Sequence, residues 1–159
     1  MDSTRLTTPE IVATAEQPTA VIALCVPRAG IERHMGPSIA EVLAALAAQG
    51  VAPAGPVFTR HARRPSDTFD FEVGVPVAAA VTPAGRVVMS RLPACRVARC
   101  EYRGGYEGLG AAWGALIGWI SAQGLAQQES LWECYLAGPE SGADPAAWRT
   151  QLNRPLRDL

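Results

Sequence analysis

The chain has 159 residues, 48% hydrophobic and 18% charged, with a formal net charge of −1. These values fit one globular domain with a sizeable core and exclude an extended disordered chain. All 14 basic residues are arginine, and no basic stripe alternates with aromatics, so direct nucleic-acid binding is not expected.

Cys25, Cys95, Cys100 and Cys134 form no C-x-x-C pair, and His34 and His61 stand at no metal-ligand spacing from them. Free thiols in a reducing cytosol are expected, with no metal and no cofactor. Met1 to Glu10 is polar with charges of both signs, unlike a signal peptide. No run approaches the roughly 18 apolar residues that span a bilayer, so a cytoplasmic location away from membranes is expected.

Met1 to Thr19 has no period and is read as a flexible arm, too short for a helix-turn-helix module. Ala20 to Val26, closed by Pro27, predicts a buried strand. After the polar stretch Arg28 to Met35, Gly36-Pro37 leads into a helix. Ser38 and Glu41 have capping-box spacing, Ile39, Val42, Leu43 and Leu46 make one apolar face, and Gly50 ends it. Val57 to His61 predicts a short strand and Ala62 to Thr68 a turn. Phe69 to Val77 alternates, with Phe69, Phe71, Val73, Val75 and Val77 on one face, and Pro76 puts its end at an edge or bulge.

Arg86 to Ser90 and Cys95 to Tyr102 are further strands, after a turn at Pro83-Ala84-Gly85. Gly104-Gly105 opens a helix from about Tyr106 to Gln123, whose core face is Leu109, Trp113, Leu116, Ile117 and Ile120, and Gly124 closes it. Leu131 to Leu136 is an apolar strand with one carboxylate in it. Strand alternation puts Leu131, Glu133 and Tyr135 on one face and Trp132, Cys134 and Leu136 on the other. A buried ionised Glu is costly without partners, so Glu133 is either an edge residue in water or a carboxylate kept to meet a cationic or polarised ligand. A turn is expected over Pro139 to Asp144. Asp144 can cap a helical turn at Pro145 to Trp148, and Arg149 to Leu156 is the last strand.

The two halves echo each other. Gly36-Pro37 corresponds to Gly104-Gly105, and Gln49-Gly50 to Gln123-Gly124. Pro56 to His61 corresponds to Ser130 to Tyr135, and Val75-Pro76-Val77 to Arg154-Pro155-Leu156. The fold class expected is α+β: a duplicated strand-helix-strand-strand unit forming an antiparallel sheet with two main helices and a cleft at a pseudo-twofold axis. A single domain over 20–159 holds repeat one at about 20–77 and repeat two at about 86–156. Thr59 stands where the second repeat has Glu133, so the carboxylate answers to a role of its own and not to the shared fold.

The chain resembles the GyrI-like small-molecule-binding domain, which also serves as the effector-binding domain of multidrug-responsive transcription regulators. The resemblance rests on Gly55-Pro56-Val57-Phe58, Val73-Gly74-Val75-Pro76-Val77, Leu92-Pro93, Gly104-Gly105-Tyr106-Glu107-Gly108-Leu109, Trp119, Gln123-Gly124, Trp132-Glu133-Cys134-Tyr135-Leu136 and Gly138-Pro139-Glu140. It implies a cleft for lipophilic, often cationic, aromatic compounds, with Glu133 facing the ligand. Regulators of the family place a helix-turn-helix first, so this chain looks like a stand-alone member. Some such members are described as hydrolases of cyclopropane-bearing toxins, and one as a gyrase inhibitor. The departures are the N-terminal arm and Gly105, where the family often has proline.

Glu133 is the central candidate, with Tyr135 beside it and Tyr106 within reach from the second helix. Trp119, beside the helix core face, and Trp113, on it, are further ligand candidates, the latter with core packing as the alternative. Phe71 is core or cleft wall. His61, at the position of Tyr135, is a groove residue or a surface one. Phe58, Trp132 and Trp148 are read as core. In a hydrolase, Glu133 would be general base or acid and Tyr135 or Tyr106 would polarise a carbonyl. No Ser/His/Asp set, G-x-S-x-G or phosphate loop is present. Binding of a lipophilic cation is the favoured reading. Hydrolysis of a strained electrophile and interaction with a protein partner are the alternatives.

Overall fold

A computed structural model describes residues 5–27, 32–62, 68–138, 142 and 144–157. In chain order the elements are β1 (Glu10–Ala13), β2 (Gln17–Pro27), α1 (Glu32–Ala48), β3 (Phe58–His61), β4 (Thr68–Pro76), β5 (Val88–Leu92), β6 (Arg96–Arg103), α2 (Leu109–Ala122), β7 (Leu131–Ala137) and β8 (Arg149–Pro155). Short 3-10 turns at Tyr106–Gly108 and Pro145–Ala147 precede α2 and β8. The fold is mixed α+β, with eight antiparallel strands and two helices, and the duplicated strand-helix-strand-strand pattern is present. The turns expected over Ala62 to Thr68 and Pro139 to Asp144 lie largely outside the described residues.

The chain divides into two compact units. The first is residues 15–94, and the second joins the residues up to Thr14 to those from Cys95 onward. Strands run β3-β4-β2-β5 in the first unit and β7-β8-β6-β1 in the second. In the first, Val42 and Leu46 of α1 cover Ala20, Ile22, Leu24, Val26, Phe71, Val73 and Val75, the alternating apolar faces of β2 and β4. In the second, Ala112, Trp113, Leu116 and Ile120 of α2 cover Ala98, Cys100, Tyr102, Leu131 and Leu152. Burial of such faces is the main favourable term holding each unit together.

Four expectations change. The arm is partly structured: β1 pairs with β6, and the Thr7 amide donates to the Glu101 carbonyl at 3.0 Å. An edge strand needs only backbone pairing, and only Val12 of β1 is even half-buried, so no apolar pattern marks it. Second, β5 pairs with β2 of the first unit, although its place in the sequence put it at the start of the second repeat. Edge pairing is decided across space, which spacing along the chain does not encode. Third, α1 begins at Glu32, and Pro37 lies inside it. Ser38 is therefore a buried residue within the helix and not a cap, and Glu41 binds Arg86 instead, at 2.8 Å from Nη2. Met35 and Ile39 pack on the core either side of Pro37 and hold the earlier turn in place. Finally, Leu43 is 39% exposed, and Ala45 takes its place against the core. Gly50 and Gly124 end the helices with φ of 69° and 73°, as expected of such stops.

Candidate functional site

The site is built within the second unit, from β7, α2 and the turns that precede α2 and β8. β7 pairs with β8 so that Glu133 lies opposite Leu152 and Tyr135 opposite Thr150. Leu131 and Leu152 belong to the core under α2, so this face of β7 looks toward the helix. Glu133 is half-buried on it. Trp113, one-tenth exposed on α2, donates its indole N–H to Glu133 Oε2 at 2.6 Å. The Tyr135 hydroxyl donates to Oε1 at 2.8 Å. Each carboxylate oxygen thus accepts from a neutral donor, which fixes the carboxylate's direction and brings no charge of its own.

Two more rings join from the turns. Tyr106, 38% exposed, stands edge-on to Tyr135 with centroids 5.9 Å apart and lies against Trp148 at 5.0 Å. The backbone sets this meeting: the Gly104 amide donates to the Trp148 carbonyl at 3.0 Å, just before Tyr106 in the chain. Beneath the turn the buried Tyr102 hydroxyl donates to the Gly105 carbonyl at 3.0 Å. Trp148 donates its own N–H to the Gly142 carbonyl at 3.0 Å. At the other end of that turn the Asp144 side chain accepts from the Ala146 amide, the cap expected there.

Of the residues singled out in the sequence, Glu133, Tyr135, Tyr106 and Trp113 come together. Trp148 joins them, although its apolar bulk had assigned it to the core. Its signal was the capped turn at Asp144-Pro145, which stops the chain just short of β8 and leaves the indole beside the sheet's end. Phe58 and Trp132 are core, at 1% and 2% exposure. Trp119 packs half-buried against the core with Leu125. His61 and Phe71 lie in the first unit, where His61 is no surface residue but stacks on Phe71 at 5.1 Å and meets Phe69 edge-on at 5.6 Å. Burial pushes the His61 imidazole down to about 4, against a weaker upward pull from Asp70. On the reverse face of β7, burial pushes the Cys134 thiol up to about 11, so it is protonated at neutral pH and is no ready nucleophile. All four cysteines are free, and no helix among the described residues is long and apolar enough to cross a membrane.

Comparison with known proteins adds the following. The GyrI-like small molecule binding domain matches residues 7–157. No curated protein matches significantly. Among solved structures, the EcmrR C-terminal domain superposes with a TM-score of 0.84 at 20% identity, covering 96% of this chain and 98% of that one. Full EcmrR, in a complex with DNA, gives 0.85 at 19% identity, and this chain spans only 59% of its length. A hydrolase from Listeria innocua gives 0.68 at 14% identity, covering 94% and 91%. SAV2435, solved bound to tetraphenylphosphonium, gives 0.63 at 8% identity, covering 95% and 94%. These likenesses are of fold.

Proposed function

The chain belongs to the GyrI-like small-molecule-binding family, and from that premise we propose that it binds a lipophilic cation, such as a polycyclic aromatic dye or drug, at Glu133. The observation that carries this is the pair of neutral donors, Trp113 and Tyr135, on the two oxygens of a half-buried carboxylate. A charge so placed acts in a medium less polarisable than water, where it attracts a cation more strongly. Tyr106, Tyr135 and Trp148 stand within ring contact beside it, and a cation over such a face gains roughly 0.5–2 kcal/mol. That SAV2435 holds tetraphenylphosphonium on the same fold agrees with this ligand class. The role is sensing or sequestration of xenobiotics in the cytoplasm, with DNA contact, where it occurs, left to other chains or domains.

Hydrolysis of a strained electrophile is the second reading, and the hydrogen-bonded Tyr135–Glu133 pair favours it. Glu133 would take a proton from water as the water oxygen bonds to a carbon of the strained ring. The ring C–C bond would break with its electron pair passing to the conjugated carbonyl oxygen, and Tyr135, its hydroxyl turned from Glu133, would donate a proton to that oxygen. The Listeria hydrolase shares the fold.

One titration separates them. Wild type should bind tetraphenylphosphonium saturably, and Glu133→Gln should weaken it about tenfold or more, or about 1.4 kcal/mol, while a neutral dye changes little. Equal affinity in both proteins would end the charge argument. A cyclopropane-bearing alkylator followed by mass spectrometry should be recovered intact; turnover by wild type alone would establish the hydrolase instead.

A further inference from the structure

Thr150, in the middle of β8, is fully buried, yet its hydroxyl has no hydrogen-bond partner among the described residues. It lies directly opposite Tyr135 on β7 and directly opposite Tyr102 on β6. Residues opposite one another in antiparallel strands share a face, so Thr150 stands between two tyrosines on the side that carries Glu133. Tyr135 donates to Glu133, and Tyr102 to the Gly105 carbonyl.

The other unit shows what this position holds where no carboxylate is present. There His61 on β3 pairs with Phe71 on β4, as Tyr135 pairs with Thr150. Thr59, which precedes His61 by two residues, replaces Glu133. Phe71 fills its place with a ring stacked on His61 at 5.1 Å. Thr150 therefore gives up most of a ring's volume beside Tyr135 and places an unbonded hydroxyl there. A buried polar group without a partner disfavours the fold, and packing alone would be better served by valine.

We infer that Thr150 is a ligand-binding residue of the Glu133 site, whose hydroxyl bonds a polar group on the cation and so selects lipophilic cations that carry an N–H or carbonyl. This rests on the cation-binding reading and deepens it. Thr150 is fully buried, so a neighbouring side chain must move for a ligand to reach the hydroxyl. A purely hydrocarbon cation gains nothing from it.

The test compares two probes on wild type, Thr150→Val and Glu133→Gln. Rhodamine 6G carries N–H groups and an ester, and tetraphenylphosphonium has no hydrogen-bonding group. Thr150→Val preserves the side chain's shape, and its thermal midpoint should equal or exceed that of wild type. It should bind rhodamine 6G five- to tenfold more weakly and tetraphenylphosphonium within twofold of wild type. Equal effects on both probes, or none on either, overturn the assignment and leave Thr150 a packing residue. Glu133→Gln should weaken both probes. If it weakens neither, or if wild type binds neither, the cation-binding reading fails, and the role of Thr150 with it.

Discussion

At the scale of single residues, close approach of backbones sets the sharpest constraint. Gly74 on β4 lies against β2, where a methyl group would collide with the Ala20 carbonyl oxygen and come within 2.8 Å of Val21 Cα. Both are backbone atoms inside a strand pair and cannot turn aside. Gly74→Ala should cost on the order of 3 kcal/mol or more, read as a lower urea midpoint. Gly118, within α2, has nothing within 4 Å of the same methyl position. Gly118→Ala should therefore stabilise by about 0.5–1 kcal/mol, since it only removes freedom from the unfolded chain. Two glycines of one composition class thus have opposite expected signs. The Val-Gly-Val pattern around Gly74 shows a strand in the sequence, but not the carbonyl that its missing side chain makes room for.

Elements were legible to the extent that their side chains alternate in polarity. β4 shows a period of two, and the structure buries Phe71, Val73 and Val75 as that period predicts while Asp70 is exposed. β1 has no such period, because an exposed edge strand satisfies its backbone without burying a face. Glu133 stood out as the one charge in an apolar strand. Its bond to Trp113 did not, because that depends on how far α2 is rotated over the sheet, a quantity that the nineteen intervening residues do not specify. The turn before α2 gives a prediction of its own. Gly105 has φ −70° and ψ 158°, backbone angles that proline adopts without strain. The nearest group a side chain there would meet is the Glu107 carboxylate, which is exposed and able to swing away. Gly105→Pro should stabilise the protein by about 0.4–1 kcal/mol in urea denaturation and leave the Tyr106–Tyr135 contact intact.

For the molecule as a whole, one source of acid sensitivity lies in the first unit. His61 is held neutral by burial, with its folded value near 4 against 6.5 in an unfolded chain. Above about pH 6.5 the imidazole is neutral in both states and its contribution to stability is complete. Between 6.5 and about 4 the unfolded chain takes up a proton that the folded chain refuses, so stability falls as pH falls, by up to about 3 kcal/mol, and this contribution levels off below 4. Thermal midpoints followed by far-ultraviolet circular dichroism should decline over that window in wild type, and His61→Phe should flatten the decline. The aromatic residues are also unevenly shared: Trp113, Trp119, Trp132 and Trp148 all belong to the second unit, and the first has no tryptophan. Intrinsic fluorescence is therefore a built-in reporter for one half of the chain, with two of its four indoles, Trp113 and Trp148, among the rings and donors around Glu133. A dye that quenches this emission reports its arrival in that half without a label. Set beside the dichroism of the whole backbone, the same signal tells whether protonating a histidine in the silent half also unfolds the half that emits.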